Sequence, residues 1–424
     1  MTDRPVAILV PGPPYLFGIT GVYYLWELLK SHRVAVVVGH GCANDPLIAE
    51  AARWPGVVEL VELPSEAGPR PTYHVQCRAV LADLVDRLRP SLLAQHNFVY
   101  PWNRYLQAEA AARGLDCRNI VYLNTFGVPA AEDCRPRAIG AIEHVRRATP
   151  TSRLQAELML RHDCALTTVM EQFILPKLAG GYCLPPIFDH MTGEILDPQG
   201  THGVDRHLVY KPVEAEATAA EWPGLRPAIT LIRHPVEVVG REVHRTLGAP
   251  DERAQIVVLP SCEGYITERR FSMPEERVVR EAADMWAAAL RLVSAKFPGH
   301  PILWKIHPAL GDQPIMAALS REIAGRLPNF QIVPHQGGAQ HLVLQSRVVV
   351  SEASGVLWWA SLLGSKTVIS LDLFGSNNDL FRRHDGIRYF STLDDLEAAD
   401  FGPHAVKVGE GRDALPTLTD ILMG

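Results

Sequence analysis

Two short strings hold the residues best suited to chemistry. Lys305-Ile306-His307-Pro308 ends the apolar run ILWKIHP, and Ser351-Glu352-Ala353-Ser354-Gly355 ends the run VVVSEASG, just ahead of an apolar helical stretch. Hydroxyls and free backbone N–H groups at a helix start attract an anion, and the helix dipole adds about 0.3–1 kcal/mol at an exposed end. The chemistry that fits is phosphate binding. In that reading His307 donates to a departing mono- or diphosphate, and Lys305 supplies a point charge beside it. Ser261, at the end of QIVVLPS, is a further hydroxyl of the same kind. A serine before a helix is by default an N-cap, and a strand-end histidine is often structural. Their joint placement, about 45 residues apart on strands predicted to be neighbours, tips the reading toward a phosphate pocket.

Those residues need a scaffold that gathers strand ends. VAILVPG (6–12) is a β-rich run stopped at Gly12-Pro13-Pro14, and a helical pattern follows it to about His32. The alternation continues with strands over 34–40, 57–63, 92–97 and 119–127, and helices over 75–89 and near 103–114. Further helix is predicted from Ala141 to about Leu178. Residues 182–227, rich in Pro, Gly, His and Asp, read as a long surface excursion or an ordered flap. AITLIRH (228–234) ends the first series, and the polar stretch to Arg253 reads as a crossing between domains.

A second series has strands over 255–261, 301–307, 330–334, 347–354 and 366–373, with helices between them and a final helical tail. Short apolar runs alternating with helices predict parallel sheets covered on both faces. The expected fold is α/β, with two Rossmann-like doubly wound domains facing a cleft. The boundaries are 1–240 for the first domain and 250–424 for the second. In such sheets ligands sit beyond the carboxyl ends of the strands.

A chain of 424 residues exceeds the size at which one core stops growing, which agrees with two domains. The net charge of −6 without a basic cluster argues against nucleic acid as a partner. The seven cysteines are scattered with no C-x-x-C, so neither a disulfide framework nor a zinc knuckle is expected. His335 and His341 do not share a helical face and Asp-x-Asp is lacking, so the chemistry is expected to be independent of metal. No run reaches eighteen apolar residues, and the start of the chain has no signal-like segment. A cytoplasmic protein is the expectation, with peripheral attachment at a membrane left open.

The order strand, Lys-x-His-Pro, helix, strand, Ser-x-x-Ser, helix, Gly-x-Lys-x-Val-Ile resembles the nucleotide-binding domain of GT-B glycosyltransferases. The likeness runs over about residues 255–390. It is greatest to bacterial capsule enzymes that use CMP-activated acidic sugars, the polysialyltransferases and capsular Kdo transferases, and similar to teichoic acid glycerophosphotransferases. The resemblance implies that His307 contacts the phosphate of a CMP leaving group, that Ser351 and Ser354 bind phosphate, and that Lys305 assists. Two departures stand out. The serines are separated by Glu-Ala rather than adjacent, and Glu352 brings a carboxylate that could bind a ribose or sugar hydroxyl.

The first domain is expected to hold the acceptor and a general base. The loop at 12–21 lacks G-x-G-x-x-G, which argues against dinucleotide redox chemistry. Related sialyltransferases use an acidic pair before glycine. Glu132-Asp133-Cys134 and Cys262-Glu263-Gly264 are partial matches. His96, at the end of LLAQH, is a third candidate base, with a structural role as the alternative. Tyr15, Asn97, Tyr100 and Trp102 are candidates to line an acceptor.

The activity these residues predict is glycosyl transfer from a nucleotide-activated donor, a CMP-activated acidic sugar by resemblance, to a glycan or small-molecule hydroxyl. No separate cofactor is required. CDP-glycerol or polyol phosphate transfer and nucleotide-sugar 2-epimerisation are the alternatives.

Overall fold

The structure is a computed structural model that describes residues 4–12, 14–65, 70–97, 101–122, 200–201, 203–248, 251–260, 273–307, 313–334, 339–352, 354–374, 379–402 and 412–423. The described residues form two compact units, the first from residues up to 243 with 414–423 and the second from 244–413.

The first unit is built on a parallel sheet of β1 (Val6–Val10), β2 (Arg33–Val38), β3 (Val57–Glu62), β4 (Leu92–Gln95), β5 (Arg118–Val121), β6 (Arg206–Val209) and β7 (Ile229–Leu231). Their order is β3-β2-β1-β4-β5-β6-β7. Its helices are α1 (Val22–Leu28), α2 (Pro46–Ala51), α3 (Arg70–Leu88), α4 (Pro101–Ala112), α5 (Pro212–Glu221) and α6 (Pro235–Thr246). The runs VAILV and RVAVVV are apolar on both faces because helices cover both. On one face Ile8, Val10, Val37 and Leu93 bury against Leu81, Leu84 and Val85 of α3 and Leu106 of α4. In register, Ile8 sits between Ala35 and Leu93.

The second unit repeats the plan with β8 (Arg253–Leu259), β9 (Ile302–Trp304), β10 (Phe330–Ile332), β11 (Ser346–Ser351), β12 (Thr367–Leu371) and β13 (Arg388–Phe390), in the order β10-β9-β8-β11-β12-β13. Helices α7 (Glu275–Lys296), α8 (Pro314–Ala324), α9 (Gln340–Gln345), α10 (Gly355–Leu362), α11 (Asp379–Arg382) and α12 (Leu393–Ala398) accompany it. Its core joins Ile256, Val258, Val348, Val350 and Ile369 of the sheet to Trp286 and Leu290 of α7 and Leu319 of α8. Trp286 and Trp304 meet edge to face at 5.2 Å, and Trp304 Nε1 donates to Ser320 Oγ at 3.0 Å.

Three sequence expectations are corrected. Residues 206–221, part of the predicted excursion, form β6 and α5, with β6 paired to β5 and β7 inside the sheet. Only three of its four residues are buried, too short a run to stand out beside the Pro- and Gly-rich stretch before it. The helix is set by Glu214, whose carboxylate accepts from Tyr210 N at 2.8 Å and Lys211 N at 3.0 Å. The stretch predicted as a crossing is largely helix α6, which Glu237 starts by accepting from His234 N at 3.0 Å. The tail holds a strand, β13, and its last helix, α13 (Leu418–Met423), packs on the first unit, where Thr419 Oγ1 donates to Glu27 at 2.8 Å.

Candidate functional site

Both sheets reverse direction of winding beside their first strand, and a doubly wound sheet opens a crevice at that point. In the second unit the reversal lies between β8 and β11. Contrary to the prediction, the Lys-x-His-Pro strand and the Ser-x-x-Ser strand are not neighbours but flank β8, so about 10 Å separates them at ordinary strand spacing. Both still end at the same edge of one sheet.

The two serines of that edge occupy different settings. Ser351 is the last residue of β11, fully buried, and its hydroxyl donates to the carbonyl of Leu259, its register partner on β8. Its proton is thus engaged in tying the two strands together at the reversal. Ser354 is the N-cap of α10 with extended backbone, φ −145° and ψ 137°, and its side chain makes no capping hydrogen bond. A Cβ added at Gly355 would meet no atom of the described residues within 4 Å. Among the described residues the start of α10 therefore presents open space, a hydroxyl and first-turn N–H groups. Glu352, between the serines in sequence, is 9% exposed.

On the other side of β8, Lys305 follows β9 directly. It is buried, its backbone N–H donates to Val258 O at 3.0 Å, and its Nζ donates to Pro334 O at 3.2 Å. Burial lowers its pKa. Two residues on, half-buried His307 is also held below the usual histidine value, first by burial and then by the Lys305 charge. At neutral pH its imidazole is uncharged and offers one N–H.

Sequence reasoning missed a polar group at the far side of the same edge. Register places Leu259, Ser351, Ser370 and Tyr389 in one row across β8, β11, β12 and β13. The Tyr389 hydroxyl donates to Asp372, just past β12, and Arg382 lies over its ring at 5.3 Å. Burial and Asp372 push the Tyr389 pKa up to about 12. Asp372 ends its strand as Glu352 does, and that shared position was the available signal.

In the first unit the reversal lies between β1 and β4, and His96 stands on it. Its ring is 1% exposed, rests over Gly12 and shares a 3.0 Å hydrogen bond with Asn97. Burial alone pushes its pKa down to about 3, so it is neutral at pH 7 and a weak base. Beside it, buried Asn103 of α4 donates to the Asn97 backbone carbonyl, and Gln95 Nε2 donates to Asn103 O at 3.4 Å. Tyr15 and Trp102 are half-buried near the same strand ends, and Trp102 packs on the core below. Further along, the Tyr210 hydroxyl donates to Tyr122 O at 2.6 Å and lies 2.5 Å from the Tyr24 hydroxyl, pinning β5 to β6.

Ser261, Glu263, Glu132, Asp133 and Tyr100 lie outside the described residues. Among the described residues no three His, Cys, Asp or Glu side chains gather as a metal ion would need, and no helix is long and apolar enough to cross a membrane.

No protein-family model matches the chain, and no curated protein sequence matches it significantly. Solved structures do. A UDP-GlcNAc 2-epimerase from Methanocaldococcus jannaschii superposes with a TM-score of 0.56 at 8% identity, covering 99% of this chain and 98% of that one. A UDP-GlcNAc 2-epimerase from Neisseria meningitidis bound to UDP-GlcNAc reaches 0.49 at 10% identity, over 92% and 89%. An Anabaena protein in complex with UDP and glucose reaches 0.44 at 10% identity, over 93% and 89%. The last two are too loosely alike to add weight. The first settles the architecture: the chain has the GT-B-like fold of the UDP-GlcNAc 2-epimerases, with a parallel sheet in each of its two units.

Proposed function

We propose that the protein is an enzyme acting on a nucleotide-activated sugar, with the nucleotide phosphate held at the start of α10. The observation that carries this is Ser354 and Gly355 at the winding reversal, one with a hydroxyl not used for capping and the other with open space above it among the described residues. Lys305 and His307, at the end of the strand on the other side of β8, supply a cation and a neutral N–H donor. Glu352 and Asp372 suit ribose or sugar hydroxyls.

The preferred reaction is transfer of the sugar to a hydroxyl of a glycan or small molecule. His307 then donates to the phosphate as charge builds on it, which is the stage where a placed donor lowers the barrier most. The donor reading of a CMP-activated acidic sugar rests on the Lys-x-His-Pro and Ser-x-x-Ser resemblance. Asn97, half-buried just past β4 in the first unit, is the polar uncharged group there that suits an acceptor hydroxyl. Epimerisation of a UDP-sugar is the second reading, favoured by the end-to-end fold likeness.

Incubation with CMP- and UDP-sugars in deuterated water separates them. Nucleotide release that depends on an added acceptor supports transfer. Deuterium entering the sugar with no acceptor present supports epimerisation, because that reaction removes and returns a proton on carbon. A phosphodiester product from CDP-glycerol would replace both with polyol phosphate transfer. Turnover of none of these donors defeats the proposal.

A further inference from the structure

At the opposite edge of the first sheet, where its strands begin, a cavity of about 330 Å³ is lined by Arg118, Ile120, Asp205, Arg206, Ile421 and Leu422. Arg118 and Arg206 are the first residues of the adjacent strands β5 and β6, and α13 closes the remaining side. A cavity of this size is at the lower end of those that hold small ligands, roughly 300–1,000 Å³.

The charges of the cavity are unevenly engaged. Arg118 spends one N–H on Leu422 O at 2.9 Å, which leaves most of its five donors. Its charge is felt nearby, since it adds to burial in lowering the pKa of His32. Arg206 is exposed, and its side chain makes no hydrogen bond or ion pair with any described residue. The Asp205 carboxylate accepts from Asn119 N at 2.6 Å and is thereby turned to the backbone. Two guanidiniums against one carboxylate leave the cavity positive, while Ile120, Ile421 and Leu422 leave part of its wall apolar.

We propose that this cavity binds the phosphate of a small amphiphilic phosphate ester between Arg118 and Arg206, with the apolar part of the ligand against Ile120, Ile421 and Leu422. Guanidinium forks match phosphate oxygens two at a time, and a charge-assisted pair of that kind is stronger than a neutral one. The source is a soluble phosphate ester or a phospholipid headgroup, and the chemistry of recognition is the same. The cavity lies in the other unit from Ser354 and at the far edge of the sheet from His96, so it is a second site.

Calorimetry on the full chain with hexyl phosphate, and flotation with vesicles of equal parts phosphatidylglycerol and phosphatidylcholine, tests it. Saturable binding of hexyl phosphate that falls at least about tenfold in Arg206→Gln, vanishes in Arg206→Glu and persists in Arg226→Gln supports a soluble ligand. Arg226 is an exposed arginine of the turn before β7, outside the cavity. Vesicle binding alone, with the same ranking of variants, supports a headgroup. Absence of both, or equal weakening in Arg206→Gln and Arg226→Gln, overturns the proposal, as does loss of hexyl phosphate binding in Gly355→Asp, which would place that ligand at α10. Because the Arg206 side chain makes no hydrogen bond or ion pair with a described residue, its variants keep the wild-type melting temperature, and nucleotide binding by them is unchanged.

Discussion

Gly12 and His96 meet where the first sheet reverses its winding: a Cβ on residue 12 would lie 2.9 Å from three atoms of the His96 ring. Gly12 also has φ +76°, a conformation that costs an L side chain about 1–2 kcal/mol. Gly12→Ala therefore pays both the backbone term and an overpacking term of about 1–3 kcal/mol against a buried ring. Gly41 has nearly the same φ, +75°, but nothing within 4 Å of an added Cβ. Urea denaturation should show Gly12→Ala losing clearly more stability than Gly41→Ala. Equal losses would mean that the ring does not press on residue 12.

His96 and His207 also set a pH dependence of stability. Burial holds their pKa values at about 3 and about 4, against about 6.5 when unfolded. Below pH 6.5 the unfolded chain takes up protons that the folded chain refuses, so stability falls as pH falls, by about 1 kcal/mol per pH unit for each histidine down to its folded value. Carboxylates with lowered pKa, such as Asp86 and Glu62, enter only below about pH 4.5. Denaturation midpoints between pH 6.5 and 5 should slope downward with acid, and the His96 ring should show no titration by NMR between pH 5 and 8. A His96 titration near 6.5 would show that water reaches the ring.

The serines of the second unit should separate stability from binding. Ser351→Ala leaves the part-buried Leu259 carbonyl without its hydroxyl donor and should cost about 1 kcal/mol, with nucleotide affinity nearly unchanged. Ser354→Ala removes a hydroxyl that caps nothing, so stability should hold while nucleotide affinity falls about three- to tenfold. The opposite pattern would assign phosphate to Ser351. In turnover, His307→Ala should lower kcat by roughly 10²–10³ in a folded protein, and an unchanged kcat would remove its role.

Most of the scaffold was legible because a strand covered on both faces writes itself as an unbroken apolar run, as VAILV and RVAVVV do. β6 and β13 were not, since three- and four-residue strands with His207, Arg388 or Tyr389 inside them carry no run to see. The strand ends of the site could be read from position alone. What each end does could not: Ser351 and Ser354 look alike in sequence, and only the register of β8 with β11 shows one hydroxyl spent on Leu259. The shift of His96 is likewise invisible, because it arises from burial by residues distant in the chain.

Gly355→Asp is the sharpest probe of the proposal that the start of α10 holds a nucleotide phosphate. The added side chain meets none of the described residues and a carboxylate at a helix start is favourable, so the variant should fold with unchanged or slightly raised stability. It also places a negative charge where the phosphate would sit. Calorimetric titration of both proteins with CMP, CDP, UMP and UDP should show one of these binding the wild type and none binding the variant. Wild-type affinity for a nucleotide that survives intact in Gly355→Asp, or no affinity in either, would contradict the account.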